Sequence, residues 1–406
     1  MGSLIRWTLI LVVVLGLGTA TARAANIEGT LQWHAAKQMD TDACQPGIIC
    51  GTPFNEQRLQ VKFDDTLAGA NVFGKLDVAN DTALGDTLHE VRELYVDNNW
   101  PSASIRAGRQ IITWGVGDLL FINDVFPKSF NALFSGQPIE YLKRGSDAIK
   151  LDIYPRWGNV ELVVAQFRAD ITPDPRRFII EGVPATTPRT DDVPTDGEAA
   201  IKLSRMIGNW DAAAYAYRGY FRAPAFTANG GALAGRHPRL NTVGASLVGP
   251  GLGGVISAEI GYYDSVEDRT GTDAATDNNQ TKALIGYTRA IAEDTTLGAQ
   301  FFVEYLHDYG AYRQSLPTGA TPRDRSEETA TVRFTQRYLR QTLTFNVFGF
   351  WGVSDRDSYV IPSLRYAFTD KLIGEIGANI FSGRASGTFG SLDRNDNVYA
   401  FFRYSF

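Results

Sequence analysis

The chain ends Val398-Tyr399-Ala400-Phe401-Phe402-Arg403-Tyr404-Ser405-Phe406. Counting back by twos gives Phe406, Tyr404, Phe402, Ala400 and Val398, all apolar or aromatic. The other register, Ser405, Arg403, Phe401 and Tyr399, is mixed and carries a charge. Period-two alternation marks a β-strand with a different environment on each face. The edge of a soluble sandwich and the wall of a membrane barrel both meet that description. Soluble edges are blunted with charge, whereas this strand is rich in large aromatics.

The N-terminus decides the compartment. Arg6 precedes an apolar run from Thr8 to Leu17, and Ala22-Arg23-Ala24 has the small-x-small form of a cleavage site. Residues 1–24 read as a signal peptide, cut before Ala25. No later stretch approaches the ~18–20 apolar residues of a transmembrane helix. An exported chain without such a helix is soluble in the periplasm or is a closed barrel, since only a barrel pairs every strand's backbone groups in lipid. Forty glycines and 12% aromatics suit bends and interfacial girdles. A net charge of −6 argues against nucleic acid.

Short alternating segments follow one another along 25–406. The clearest are Arg58–Asp64, Asn71–Ala79, Ile149–Ile153, Trp210–Tyr220, Val255–Tyr263 and Leu372–Phe381. Leu88–Asp97 fits least, because Glu90, Arg92 and Glu93 put charge on both faces. The total is about 18 strands, with 16 to 20 bracketing it. Tight turns such as Gly208-Asn209 and Gly249-Pro250-Gly251 alternate with long connections at 38–54, 113–146, 170–197, 223–238, 265–279, 311–326 and 383–395. Short periplasmic turns and long outer loops are the pattern of an antiparallel transmembrane β-barrel. This is the predicted fold: all-β, one domain, both termini periplasmic.

The closing strand then resembles that of Gram-negative outer-membrane β-barrels of the porin-like kind. The resemblance implies that Tyr404 and Phe406 form the signal read by the barrel-assembly machinery. It also implies outer-membrane lipid around the wall.

The face assigned inward carries Arg58, Lys62, Lys75, Asp77, Arg106, Lys150, Glu304, Arg333, Glu375 and Arg403 among others. Both signs on one face require water inside, because burying unpaired ions costs several kcal/mol each. The segment 113–146 is too apolar for a loop in water, with Leu119, Leu120, Phe121, Ile122, Val125, Phe126, Phe130, Leu133 and Phe134. It is expected to fold into the lumen as a constriction; the alternative is a lid over the outer rim. Its ions Asp118, Asp124, Lys128, Glu140, Lys143 and Arg144 complete the expected pore lining, with Lys143 and Arg144 facing acids across a gap. Its Gly108-Arg109-Gln110…Trp114-Gly115…Asp118 pattern resembles porin-like families, including some exporters of acidic polysaccharide.

Cys44 and Cys50 share one outer loop, and in an oxidising compartment a disulfide is expected. Porin sheaths of electron-transfer conduits sometimes carry such a pair, which keeps a multihaem cytochrome partner in view. No Cys-x-x-Cys-His occurs, so no haem or other cofactor is assigned to this chain, and two thiols without histidine make a poor zinc site. Only four histidines exist and no Gly-x-Ser-x-Gly elbow occurs, so an outer-membrane hydrolase is the least favoured reading and no catalytic residue is assigned. The expected function is passive passage of small hydrophilic or charged solutes, not catalysis. A conduit sheath and a polysaccharide exporter are the alternatives.

Overall fold

A computed structural model describes residues 26–40, 46–67, 69–180 and 183–406. The signal-peptide reading of 1–24 and Cys44 lie outside the described residues. Strands run β1 (Asn26–Gln38), β2 (Phe54–Leu67), β3 (Ala70–Asp81), β4 (Asp86–Trp100), β5 (Ala103–Gln110), β6 (Ser146–Ile153) and β7 (Asn159–Gln166). After the short β8 (Arg189–Asp192) come β9 (Gly197–Ile207) and β10 (Trp210–Tyr220), then the hairpin β11 (Ala225–Asn229) and β12 (Ala232–Arg236). The second half is β13 (Arg239–Gly251), β14 (Gly254–Ser265), β15 (Gln280–Ala292), β16 (Thr295–Leu306), β17 (Ser326–Tyr338), β18 (Leu343–Gly352), β19 (Asp357–Ala367), β20 (Leu372–Ser382) and β21 (Asn397–Ser405).

Eighteen of these form one antiparallel sheet, each paired with its chain neighbours. β1 pairs with β21 from Thr30↔Ser405 to Gln38↔Asn397, which closes the ring and leaves no edge. β8, β11 and β12 make a small separate sheet in the outer loops. The last residue takes part in closure: Phe406 N–H donates to Gly29 O and Gly29 N–H to Phe406 O, both 2.9 Å. The Phe406 ring lies over Gly29, where a Cβ would sit 2.2 Å from it.

The alternation of the closing strand is realised. Val398, Phe402, Tyr404 and Phe406 are exposed on the outward side. Tyr399 and Phe401 point inward and are buried. Exposed outward residues elsewhere, among them Leu31, Val243, Ile260, Ile285 and Ile376, make the apolar belt of a barrel in lipid. No helix among the described residues is long and apolar enough to cross a membrane.

Two details differ from the sequence expectation. The outer connections are not all long, since β3–β4 and β18–β19 turn within residues 82–85 and 353–356. The irregular charge on β4 is a β-bulge. Lys75 pairs with Glu93 and Leu76 with Val91, so Arg92 is the extra residue. A bulge lets neighbours share a face. Arg92 and Glu93 therefore both serve the interior instead of splitting across the wall: Arg92 donates to the carbonyls of Glu140 and Lys143, and Glu93 accepts from Ile111 N–H.

Candidate functional site: the segment between β5 and β6

Residues 111–145 leave β5 and return to β6 by way of contacts with strands on opposite sides of the ring. The first stretch packs Ile112, Trp114, Ile122, Val125 and Phe126 on Val163, Tyr215, Tyr217, Leu240, Tyr263 and Leu284 of the wall. Its anchor is Glu259 on β14, a buried carboxylate. Glu259 accepts from the N–H groups of Val116 (2.8 Å), Gly117 (3.2 Å) and Asn123 (2.8 Å), and from Asn123 Nδ2 (2.9 Å). Gly115 has φ +75°, and a Cβ there would lie 2.7 Å from that carboxylate. Glycine is thus required both for the left-handed backbone and for the close approach. Leu119, at φ 59°, holds a left-handed conformation without that excuse, which costs on the order of 1–3 kcal/mol and persists only where surroundings impose it.

The second stretch reaches the other side. Helix α1 (Phe130–Phe134) and its flanks pack Phe134 among Phe54, Phe348, Phe350, Tyr359, Phe381 and Tyr399. The carbonyls at a helix C-terminus lack intrahelical partners. Here the wall supplies them: Tyr359 OH donates to Leu133 O (3.1 Å), Asn397 Nδ2 to Phe134 O (3.2 Å), and His34 Nε2 lies 3.0 Å from Ser135 O. Asn379 ties Tyr359 to Asn397 at 2.7 and 2.8 Å. Gly136 passes over the Tyr399 ring, where a Cβ would sit 2.1 Å away. An outer loop closes over this side: Phe178 is buried in the same cluster, and Asn395 exchanges hydrogen bonds with the backbone of Ile179.

The ionic residues are distributed differently from the expectation. Asp118 pairs with Arg333 of β17 at 2.7 Å, and its N–H donates to Gln300. Glu140 pairs with Arg403 of β21 and with Lys75 of β3 (3.3 Å). Burial alone would raise the Glu140 carboxyl; Arg403 and Lys75 outweigh it and hold it below its usual range. These three pairs tie the segment to the wall. Asp124 and Lys128, expected to line the pore, are instead buried inside the segment: Lys143 Nζ is 2.5 Å from Asp124, and Lys128 Nζ donates to the carbonyls of Asp124 and Phe126. Lys143 therefore faces an acid of its own segment, and Arg144 donates to Ala169 O (2.5 Å), so neither reaches across a gap. The reason is local. The segment folds back on itself at this point, which brings Lys143 to Asp124 and Lys128 to carbonyls of its own turn.

On the wall, Arg106 lies 3.6 Å from Asp97 and over the Tyr95 ring. Lys150 is shared by Asp152 (3.1 Å) and Glu161 (3.5 Å). Glu375 accepts from Tyr399 OH at 3.2 Å. Glu304 is held by Lys282 (2.8 Å) and by Arg323 of an outer loop (2.7 Å), near the outer rim. Cys50 is disulfide-bonded. Glu259, Asn123, His34, Tyr359, Asn379 and Asn397 were not singled out by sequence. Their only signal is a polar residue at an inward position, which most of this wall shares.

The structure has the fold of outer-membrane porins, a closed 18-stranded antiparallel barrel. Three solved structures illustrate the likeness. Pseudomonas aeruginosa OccK2 (OpdF), in complex with glucuronate, gives a TM-score of 0.60 at 10% identity over 95% of this chain and 99% of that one. Pseudomonas aeruginosa OccK11 (OpdR) gives 0.55 at 10% identity over 96% and 98%. Acinetobacter baumannii OccAB3 gives 0.55 at 10% identity over 94% and 99%. No family profile and no curated protein matches the sequence.

Proposed function

We propose that the protein is an outer-membrane channel for small hydrophilic or charged solutes, with residues 113–146 as its constriction. One observation carries the reading. Asp118 and Arg333 belong to the segment and to the inward face of β17, yet each side chain is 41% exposed. Side chains inside a closed ring reach solvent only where water fills the space beside them. Arg106, Glu140 and Lys143 keep partial exposure in the same way. A solute passing the segment meets these groups at short range, where an effective dielectric of ~20 makes each charge worth a few kcal/mol. The glucuronate held by OccK2 is a solute of suitable size and charge. A conduit sheath must leave its lumen to a partner protein, and the contacts of 111–145 with both sides of the ring compete with that. The test is single-channel conductance in planar bilayers. Shortening 119–138 should raise conductance and weaken ion selectivity in a barrel that still folds. Parental conductance from such a barrel would move the constriction to the wall.

A further inference from the structure

A second feature lies where the returning stretch of the segment meets β4. A half-open cavity of about 140 Å³ lies there, lined by Arg58, Arg92, Arg144 and Arg177 together with Glu56, Asp81 and Glu90. Arg58 is matched by Glu56 and Asp77, and Arg177 by Asp81. Arg92 and Arg144 have no carboxylate partner among the described residues. Arg92, 4% exposed, donates to two carbonyls, and Arg144 to one. The Nε atoms of both are buried with no acceptor. Beside them Arg168 adds a third guanidinium, held by Gly145 O at 2.6 Å. Glu90 acts on both Arg144 and Arg168 and comes to 4.0 Å of Arg168. Asp170 stands behind and accepts from the Lys128 N–H at 2.7 Å.

Arg92 is buried and Arg144 and Arg168 are half-buried, with Glu90, 4.0 Å from Arg168, as the acid paired with the group, and that is costly unless something compensates it. The pressure on the group shows in Arg168, which burial and the neighbouring Arg144 and Arg109 push down to about 10. Arg144 is also pushed down, first by burial, with Arg109 and Arg92 adding to it. Free guanidinium N–H groups around a small recess take oxygen acceptors in pairs. At ~30 Å³ per water the cavity holds about four or five waters, which is room for one oxyanion group.

We propose that this cavity is a binding site for one small oxyanion group, a carboxylate or phosphate, held by Arg92 and Arg144. The anion clamps the stretch 140–145 to the bulge of β4. The site goes beyond the channel reading, because it stands on the packing of the segment and not on conduction. The bulge then has a physical purpose: it places Arg92 in the interior next to Glu93, where an unbroken strand would have turned it to lipid.

The test is calorimetric titration of the full-length barrel in detergent with sodium phosphate, sodium acetate and sodium glucuronate, at constant ionic strength in chloride. One anion per barrel should bind. Arg144→Gln should weaken it by about tenfold or more, the size of a lost charge-assisted bond. Glu90→Gln should tighten it several-fold, because it removes the competing charge. The opposite signs separate binding from a general loosening of the fold. Acetate and phosphate binding without glucuronate would make the ligand a small free ion. Comparable glucuronate binding would make it the carboxylate end of a passing solute. No saturable heat, or the same direction of change in both variants, overturns the proposal. Bilayer conductance of the same preparations reports separately on the channel reading.

Discussion

The two halves of the inserted segment are fastened by different chemistry. Residues 112–128 hang on one buried carboxylate, Glu259, which gathers four N–H donors. Residues 130–136 rest in an aromatic cluster whose polar links are neutral: a phenol, two amides and an imidazole, each meeting a backbone carbonyl or one another. The first half offers orphan N–H groups of an irregular turn, and an anion answers several of those at once. The second offers orphan carbonyls at a helix end, and neutral donors answer them one each. The lesson is that the wall answers whichever backbone groups the segment leaves open. The energy is concentrated on one side and dispersed on the other.

Both fastenings depend on a closed ring, so the largest effect should come from the closure itself. Deleting Phe406 removes the terminal ladder bonds to Gly29 and the ring that covers it. Assembly should fall sharply, read as the amount of heat-modifiable protein in the outer membrane. Normal amounts would show that the ring closes without its last residue.

Next comes the concentrated anchor. Glu259→Gln keeps the shape but replaces a carboxylate with an amide that cannot accept from every donor. About 2–4 kcal/mol of stability should be lost, and residues 112–128 should become sensitive to protease. A dispersed anchor should respond less. Tyr359→Phe removes the bonds to Leu133 O and Asn379 at a cost of about 1–2 kcal/mol, with little change in protease sensitivity. Equal losses from the two variants, measured by denaturant unfolding, would erase the contrast between the halves.

The smallest effect concerns the ion pair between the first half and the wall. Burial raises the Asp118 carboxyl above its ordinary range, while Arg333 opposes this. A raised carboxyl takes up its proton in the folded barrel at a pH where the unfolded chain remains ionised. As pH falls toward the carboxylate range from above, Asp118 should lose its charge first and release Arg333. The reversal potential should then shift toward anions, and Asp118→Asn should show that shift already at neutral pH. A pH-independent reversal potential in the parent would place Asp118 outside the ion path.

The wall was readable because its rule is local. Val398 to Phe406 alternates on its own, and so do most of the other strands once their turn residues are found. Strand number, the face of each residue and the outward aromatic belt follow from a period of two, and each needs only a few neighbours. Even the misfit of Leu88–Asp97 was visible as sequence. Its meaning was not, because a bulge is defined by the partner strand, and Lys75 with Leu76 are needed to see that Arg92 is extra.

Local pattern alone therefore reaches the closed antiparallel barrel, its size and its two faces, and shows that 113–146 is too apolar to stand in water. Where that segment rests, and which ions remain open to solvent, depends on contacts between residues far apart in the chain. Asn123 meets Glu259 across 136 positions, Leu133 meets Tyr359 across 226, and Phe134 meets Asn397 across 263. Nothing local distinguishes Glu259 or Asn397 from any other inward polar residue. They become anchors because ring closure brings distant strands around one irregular stretch of backbone, whose unpaired N–H and C=O groups must find partners there.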